Sequence, residues 1–256
     1  MNNYVSFITD EDFERCVSKL YDSYVSAHQD IDERKLYSNK LDVIKLTFDK
    51  MFGNLTDEEL LEREVNKQID KSITNAIGTF HEEILGCIEG YVRGNLDGWD
   101  IKSENNTIFA DIKNKYNTMN SGDQELVYQN LQRFANENEV STCYWVQINA
   151  KKSFDEQWKA NFRNRKYDHP RVRKISGDKF YELLSGVDVA MCEIYKALPK
   201  VITSILQKRG ITTTTNLQSQ VTAIQTITSK AKEFNRSLLD QLAVDNLSYY
   251  SGFNEL

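Results

Sequence analysis

Apolar residues recur at helical spacing over most of this chain, and strand-like alternation is concentrated between positions 99 and 149. Phe13, Val17, Leu20 and Tyr24 form a stripe behind Thr9, which can cap a helix that opens on Asp10-Glu11-Asp12. Leu41, Ile44, Phe48 and Met51 predict a second helix over 41–52, with those four side chains inward. Thr56 opens a third, in which Leu61, Val65, Ile69, Ile73, Ile77, Phe80, Ile84, Ile88 and Tyr91 keep the period for about nine turns. Gly78, Gly86 and Gly90 bend it or let it pack closely. A helix is expected from Ser121 or Asp123 through Glu137, carrying Leu126, Leu131 and Phe134. Another follows Ser176-Gly177-Asp178, and a longer one runs from Val187 to Gln207, where Pro199 marks a kink or boundary. Arg209 to Asn216 reads as a connector. Beyond it Leu217, Val221, Ile224, Thr228, Ala231, Leu238 and Leu242 predict one long helix, packed on its own domain or offering a dimer surface.

The strand-forming stretch carries the chemistry. From Thr107 to Lys115 the period of two puts Phe109, Asp111, Lys113 and Lys115 on one face and Ile108, Ala110, Ile112 and Asn114 on the other. Trp99 to Ser103 is also extended, and Glu104-Asn105-Asn106 lies between. Asparagine tolerates positive φ, so Asn105 and Asn106 suit a two-residue hairpin loop. That loop sets Asp100 opposite Asp111, with β-carbons about 4.5–5.5 Å apart. Two carboxylates so close weaken a hairpin unless a cation lies between them. Asp100, Asp111 and the main-chain carbonyl of Ile112 are hard oxygen ligands suited to Mg²⁺, with Mn²⁺ able to substitute. Lys113, beside them, would orient or deprotonate a water and stabilise charge on a phosphodiester. The same charges also fit an edge hairpin that resists aggregation. Ser141 to Asn149 predicts a further strand, so strand, helix, strand gives a βαβ crossover in a mixed sheet.

The segment NKQIDKSITNAIGTFHEEILGCIEGY, then GWD, IFADIKNKYNTMN and ISGDKFYELLSG, resembles type II restriction endonucleases of the PD-(D/E)xK superfamily, in the branch that cuts GGNCC or GGWCC sites. The resemblance covers about Val65 to about Leu198, and its most specific piece is DIKNKYNT. It implies a restriction-endonuclease-like α/β fold in which Asp100, Asp111 and Lys113 are catalytic. In many nucleases of that superfamily a helix carboxylate completes the metal shell, and Glu82 or Glu89, seven apart on one face, could serve here, although a surface ion pair is the commoner use of such residues. Many members have Glu where this chain has Asp111, and the proline of the motif is replaced by Trp99. That leaves Asp97 as a rival for the first acid.

Composition sets limits on this reading. The 256 residues carry 32 Lys and Arg against 38 Asp and Glu, a formal net charge of −6. Residues 151 to 174 reverse the sign, with nine basic and three acidic side chains. A basic stripe interleaved with Trp158, Phe162 and Tyr167 suits a phosphate backbone, although a solvated loop has the same composition. Lys151, Lys152, Arg163, Arg165, Arg171 and Arg173 are therefore candidate DNA contacts. So are Asn114, Lys115, Asn117 and Thr118, which continue directly from the catalytic strand. Cys16, Cys87, Cys143 and Cys192 form no metal-binding pair and read as reduced core residues, and the three histidines are scattered. No apolar run is long enough for a membrane span, and the N-terminus has no secretory pattern, so a cytoplasmic protein is expected, and the resemblance to restriction enzymes implies a prokaryotic one.

The expected architecture is a single α/β nuclease domain over 1–256. It comprises a helical N-terminal part (1–92), a catalytic sheet core (93–175) and a helical C-terminal part (176–256). The expected function is Mg²⁺-dependent, sequence-specific cleavage of double-stranded DNA by a homodimer, one active site per strand of a palindrome. A cognate methyltransferase would belong to the same system without direct contact. The alternatives are a repair or junction nuclease with the same core, or a non-catalytic helical DNA-binding protein.

Overall fold

A computed structural model describes residues 2–29, 31–94, 98–211 and 222–247. Nine helices and six strands occur among them: α1 (Asp10–His28), α2 (Glu33–Ser38), α3 (Val43–Gly53), α4 (Asp57–Leu85), β1 (Tyr91–Arg93), β2 (Ile101–Ser103), β3 (Ile108–Lys115), α5 (Ser121–Glu137), β4 (Thr142–Asn149), β5 (Asp155–Phe162), β6 (Arg165–Ser176), α6 (Gly177–Ser185), α7 (Ala190–Lys208), α8 (Thr222–Glu233) and α9 (Leu238–Leu247). The chain forms two compact units. One comprises Met1–Tyr21 and Asn75–Thr213, the other Asp22–Thr74 and Thr214–Leu256. Both are discontinuous in sequence.

The first unit is built on a mixed sheet in the order β1-β2-β3-β4-β6-β5. The β1-β2-β3 meander is antiparallel, β3-β4 and β4-β6 are parallel, and β5-β6 is antiparallel. The expected crossover is present: β3, α5 and β4 form a βαβ unit. Side-chain alternation divides β3 between two cores. Ala110 and Ile112 face a core with Ile84, Val146, Phe180 and Val201. Phe109 faces the other, with Tyr128, Leu131, Phe134, Trp145 and Trp158, and its ring stacks on Phe134 at 5.1 Å. Asp111 and Lys113 share the face of Phe109, the α5 side of the sheet.

The basic stretch is an antiparallel hairpin, β5-β6, at the sheet edge. Trp158, Phe162, Val172 and Ile175 are the apolar side chains that anchor it by full burial, with Ser176 buried at its end, so the charges between them hide the strand period. Tyr91, read as the end of a nine-turn helix, begins β1 instead. Helix α4 stops at Leu85, and Gly90 takes a left-handed conformation (φ 84°) before the strand. On α5 Leu131 and Phe134 are buried as expected, but Leu126 is exposed while Glu125 and Val127 are buried. Pro199 lies within the continuous α7. Cys16 and Cys143 are buried, Cys87 is half-buried and Cys192 is exposed, so the core assignment fails for Cys192.

The second unit buries Leu36, Leu41, Leu46, Leu60, Leu61, Val65, Ile227 and Leu242 together. Here α3 is turned the other way round from its predicted orientation. Asp42 caps it through Ile44 N–H and Lys45 N–H, Leu46 points in, and Ile44, Phe48, Met51 and Phe52 are exposed. The helix is apolar on two faces, so periodicity alone does not choose between them. The expected long C-terminal helix is two helices, separated where Asn235 adopts φ 51°. Leu217 and Val221, and the connector from Thr212 to Asn216, lie outside the described residues. No helix among the described residues is long and apolar enough to cross a membrane.

Candidate active site

The β2-β3 hairpin positions the site. Its register pairs Ile101 with Ala110 and Lys102 with Phe109, which puts Asp100 beside Asp111 at the hairpin's open end. The turn differs from the expected two-residue loop. Ser103 O accepts from Asn106 N–H (3.0 Å), and of the two asparagines only Asn106 has positive φ (57°). Ser103 Oγ accepts both Thr107 N–H and Ile108 N–H at 2.9 Å and locks the turn. The register survives the change of turn type.

Asp100 is fixed from three directions. Its N–H donates to Ala110 O (2.8 Å), its carbonyl accepts from Gly94 N–H (2.8 Å), and its Oδ2 accepts from Ile112 N–H (2.6 Å). Gly94 is required here: a β-carbon on it would stand 2.1 Å from Trp99 O. Lys113 Nζ lies 2.7 Å from Asp111 Oδ1, 3.3 Å from Ile112 O and 4.0 Å from Asp100 Oδ2. One ammonium thus sits among the three oxygen donors that the sequence singled out. Asp97, the rival first acid, lies outside the described residues.

Charge and burial compete at this spot. Burial raises the Asp111 carboxyl above its ordinary value; Lys113 opposes the rise, and Asp100 and Glu82 add to it. Burial pulls the Lys113 ammonium down, but Asp111, Asp100 and Glu82 outweigh it, so its proton is held more tightly than usual. Asp111 Oδ1 is buried, and its one polar partner among the described residues is the Lys113 ammonium. An under-coordinated buried carboxylate oxygen, a second carboxylate and a main-chain carbonyl form a donor set that fits a hard divalent cation. Among the described residues, no three His, Cys, Asp or Glu side chains converge to hold a metal alone.

Glu82, near the end of α4, is close enough to perturb Asp111 and Lys113. Its own carboxyl is raised by burial and by Asp100, against Arg93 and Lys113. It is held by Arg93 of β1, whose Nη2 and Nε donate to Glu82 Oε2 at 2.8 and 3.1 Å. Arg93 also pairs with Glu83 at 3.4 Å. Sequence reading missed both Arg93 and Gly94, because β1 is three residues long and carries no alternation of its own.

The predicted DNA contacts fall into three groups. Asn114, Lys115, Asn117 and Thr118 lie at and beyond the end of β3. Asn149 of β4 donates to both Asn114 O and Asn114 Oδ1, and Thr118 Oγ1 donates to Lys115 O (3.0 Å). Lys151 and Lys152 follow β4 at the same end, with Lys151 Nζ 4.9 Å from the Tyr116 ring centre. Arg163 lies in the β5-β6 turn and Arg165 begins β6. Arg171 is committed to Asn138 O and Ser141 O (2.7 and 3.0 Å), and Arg173 to Asp155 (2.8 Å).

Residues 5–207 match the family model described as Eco47II restriction endonuclease. The chain is 34% identical over 254 residues to the type II restriction enzyme Sau96I of Staphylococcus aureus, covering 94% of both chains. It is 31% identical over 215 residues to the type II restriction enzyme Eco47II of Escherichia coli, covering 80% of this chain and 89% of that enzyme. With a hairpin that gathers two carboxylates and a lysine, and with this extent of similarity, the chain belongs to the Eco47II restriction endonuclease family.

Proposed function

We propose that this type II restriction endonuclease cleaves double-stranded DNA at a short palindromic site, of GGNCC type by resemblance, with Asp100, Asp111 and Lys113 as its catalytic residues. The observation that carries the reading is the convergence of both carboxylates and the Ile112 carbonyl on the Lys113 ammonium. Asp100, Asp111 and Ile112 O would hold Mg²⁺, or Mn²⁺ in its place, and Glu82 would join them when released from Arg93. The cation bound there supplies Lewis acidity and neutralises charge on the phosphate. Asp100 is held in place by Ile112 N–H, so the first acid needs no rearrangement. Lys113, held in its ammonium form by its acidic neighbours, faces the phosphate and stabilises the charge that develops as water attacks phosphorus in line and the 3′ oxygen leaves. Asn114, Lys115, Asn117, Thr118, Lys151 and Lys152 line the end of the sheet where the DNA backbone would pass.

A palindrome with one cut per strand favours a homodimer, acting in the prokaryotic cytoplasm beside a cognate methyltransferase that it does not contact. Family membership sets aside the repair-nuclease and scaffold alternatives. Incubating the protein with phage DNA and Mg²⁺ and sequencing the fragment ends tests this reading. Discrete ends within one palindromic sequence are expected, and scattered or absent ends would refute it. Calorimetric titration with Mn²⁺ is expected to show binding that Asp111→Ala removes.

A further inference from the structure

We propose that the tip of the β5-β6 hairpin enters the DNA major groove and that Arg163 is the residue there that reads a guanine edge. The inference rests on the nuclease reading above and adds to it the element that selects sequence. Arg163 and Asn164 connect β5 to β6 with φ values of 48° and 66°. A two-residue loop with both residues left-handed matches the twist of a hairpin and favours Asn and Gly. Asn164 satisfies that preference. Arg163 does not, because its β-carbon crowds the backbone in this conformation. The fold would be better served by Asn or Gly at 163, so the retained arginine points to a use for its side chain.

That side chain has little structural employment. It is 78% exposed, and its Nε reaches Glu125 only at 3.7 Å. Glu125 already accepts from Tyr167 Oη at 2.7 Å. The rest of the ribbon is secured to α5. Gln129 donates to Tyr167 Oη (3.0 Å), Tyr128 Oη accepts from His169 N–H (2.8 Å), and Trp158 and Phe162 are buried. A rigid stem therefore presents an exposed cationic tip.

The tip is also in the right place. A β-carbon built on Gly122, in the first turn of α5, would lie 3.4 Å from Arg163 Nη2. That turn is reached directly from the catalytic strand through Lys115, Asn117 and Asn120, the cap of α5. The hairpin packs on the α5 side of the sheet, the side that carries Asp111 and Lys113. Two-stranded ribbons fit the major groove, and arginine donates bidentately to guanine O6 and N7. Arg171 and Arg173 are occupied within the fold, which leaves Arg163 and Arg165, and of these two only Arg163 sits in the turn itself with a left-handed backbone.

The test uses the full-length protein. The wild-type cleavage site is mapped first with Mg²⁺. Binding in Ca²⁺ is then measured by fluorescence anisotropy on a duplex carrying that site and on a scrambled duplex, for wild type, Arg163→Ala and Arg163→Gly. Glycine relieves the backbone, so Arg163→Gly is expected to melt no lower than wild type. Both variants are expected to lose about tenfold or more in affinity for the site, with much less change on the scrambled duplex. An unchanged ratio between the duplexes, whether through equal loss on both or no loss, would overturn the assignment of Arg163 while leaving the nuclease reading intact. A wild-type protein that neither cuts nor distinguishes the duplexes would overturn both.

Discussion

The ammonium of Lys113 lies 2.7 Å from Asp111 Oδ1, two positions back on the same strand, and it is the one cation in contact with that buried oxygen among the described residues. Its attraction does not cancel the cost of burial, since the Asp111 carboxyl stays above its ordinary value. An acid whose folded pKa is raised withdraws stability as pH climbs from the unfolded value through the folded one, so ionised Asp111 destabilises the metal-free fold at neutral pH. Asp111→Asn is therefore expected to melt higher than wild type in EDTA at pH 7.5 while losing cleavage. Differential scanning fluorimetry with EDTA and with Mg²⁺ checks this. A lower melting temperature in EDTA would mean that the ion pair outweighs desolvation.

Arg93 holds Glu82 away from an uncompensated encounter with Asp100 and Asp111. Arg93→Ala is expected to cost about 1 kcal/mol without metal, a figure discounted for the partial exposure of both partners. Saturating Mg²⁺ should narrow the gap, because the freed carboxylate then has a cation to meet. Urea unfolding at both metal conditions provides the comparison, and an equal deficit in each would disprove the clamp.

Gly94 has no room for a side chain against Trp99 O, and its N–H positions Asp100. Gly94→Ala is expected to destabilise by roughly 1–3 kcal/mol through forced backbone movement. Cleavage should fall more than the folded fraction does. Activity corrected for folded fraction by circular dichroism separates the two effects, and full specific activity would show that Asp100 does not depend on this contact.

His81 is packed beside Tyr181 Oη (2.9 Å), and burial pushes its imidazole down to about 4. Its neutral form is favoured by folding. That contribution is complete above the ordinary histidine value of about 6.5 and is lost as pH falls toward 4. Wild type is expected to lose about 2–3 kcal/mol more than His81→Gln between pH 7.5 and 4.5. Parallel urea titrations at the two pH values measure the difference, and equal losses would place the acid sensitivity elsewhere.

The β2-β3 hairpin was legible because its evidence is local. Alternation fixed the face of Asp111 and Lys113, and the short span to Asp100 fixed the partner, even though Asn105 does not take the expected conformation. Elements that depend on distant packing were not legible. The orientation of α3 turns on whether Leu46 or Ile44 and Phe48 meet the core, and both faces are apolar. Strands β5 and β6 are charged along most of their length, so only contact with α5 reveals their buried side. Arg93 and Gly94 act through neighbours eleven and five positions away, Glu82 and Trp99, and no spacing rule links such pairs.

The most direct measurement is cleavage of plasmid DNA by wild type, Asp111→Ala and Lys113→Ala in Mg²⁺, paired with DNA binding in Ca²⁺. Wild type should give discrete fragments, and both variants should bind DNA yet leave the plasmid uncut. Fragmentation by either variant at the wild-type rate would contradict the assignment of the hairpin as the catalytic centre.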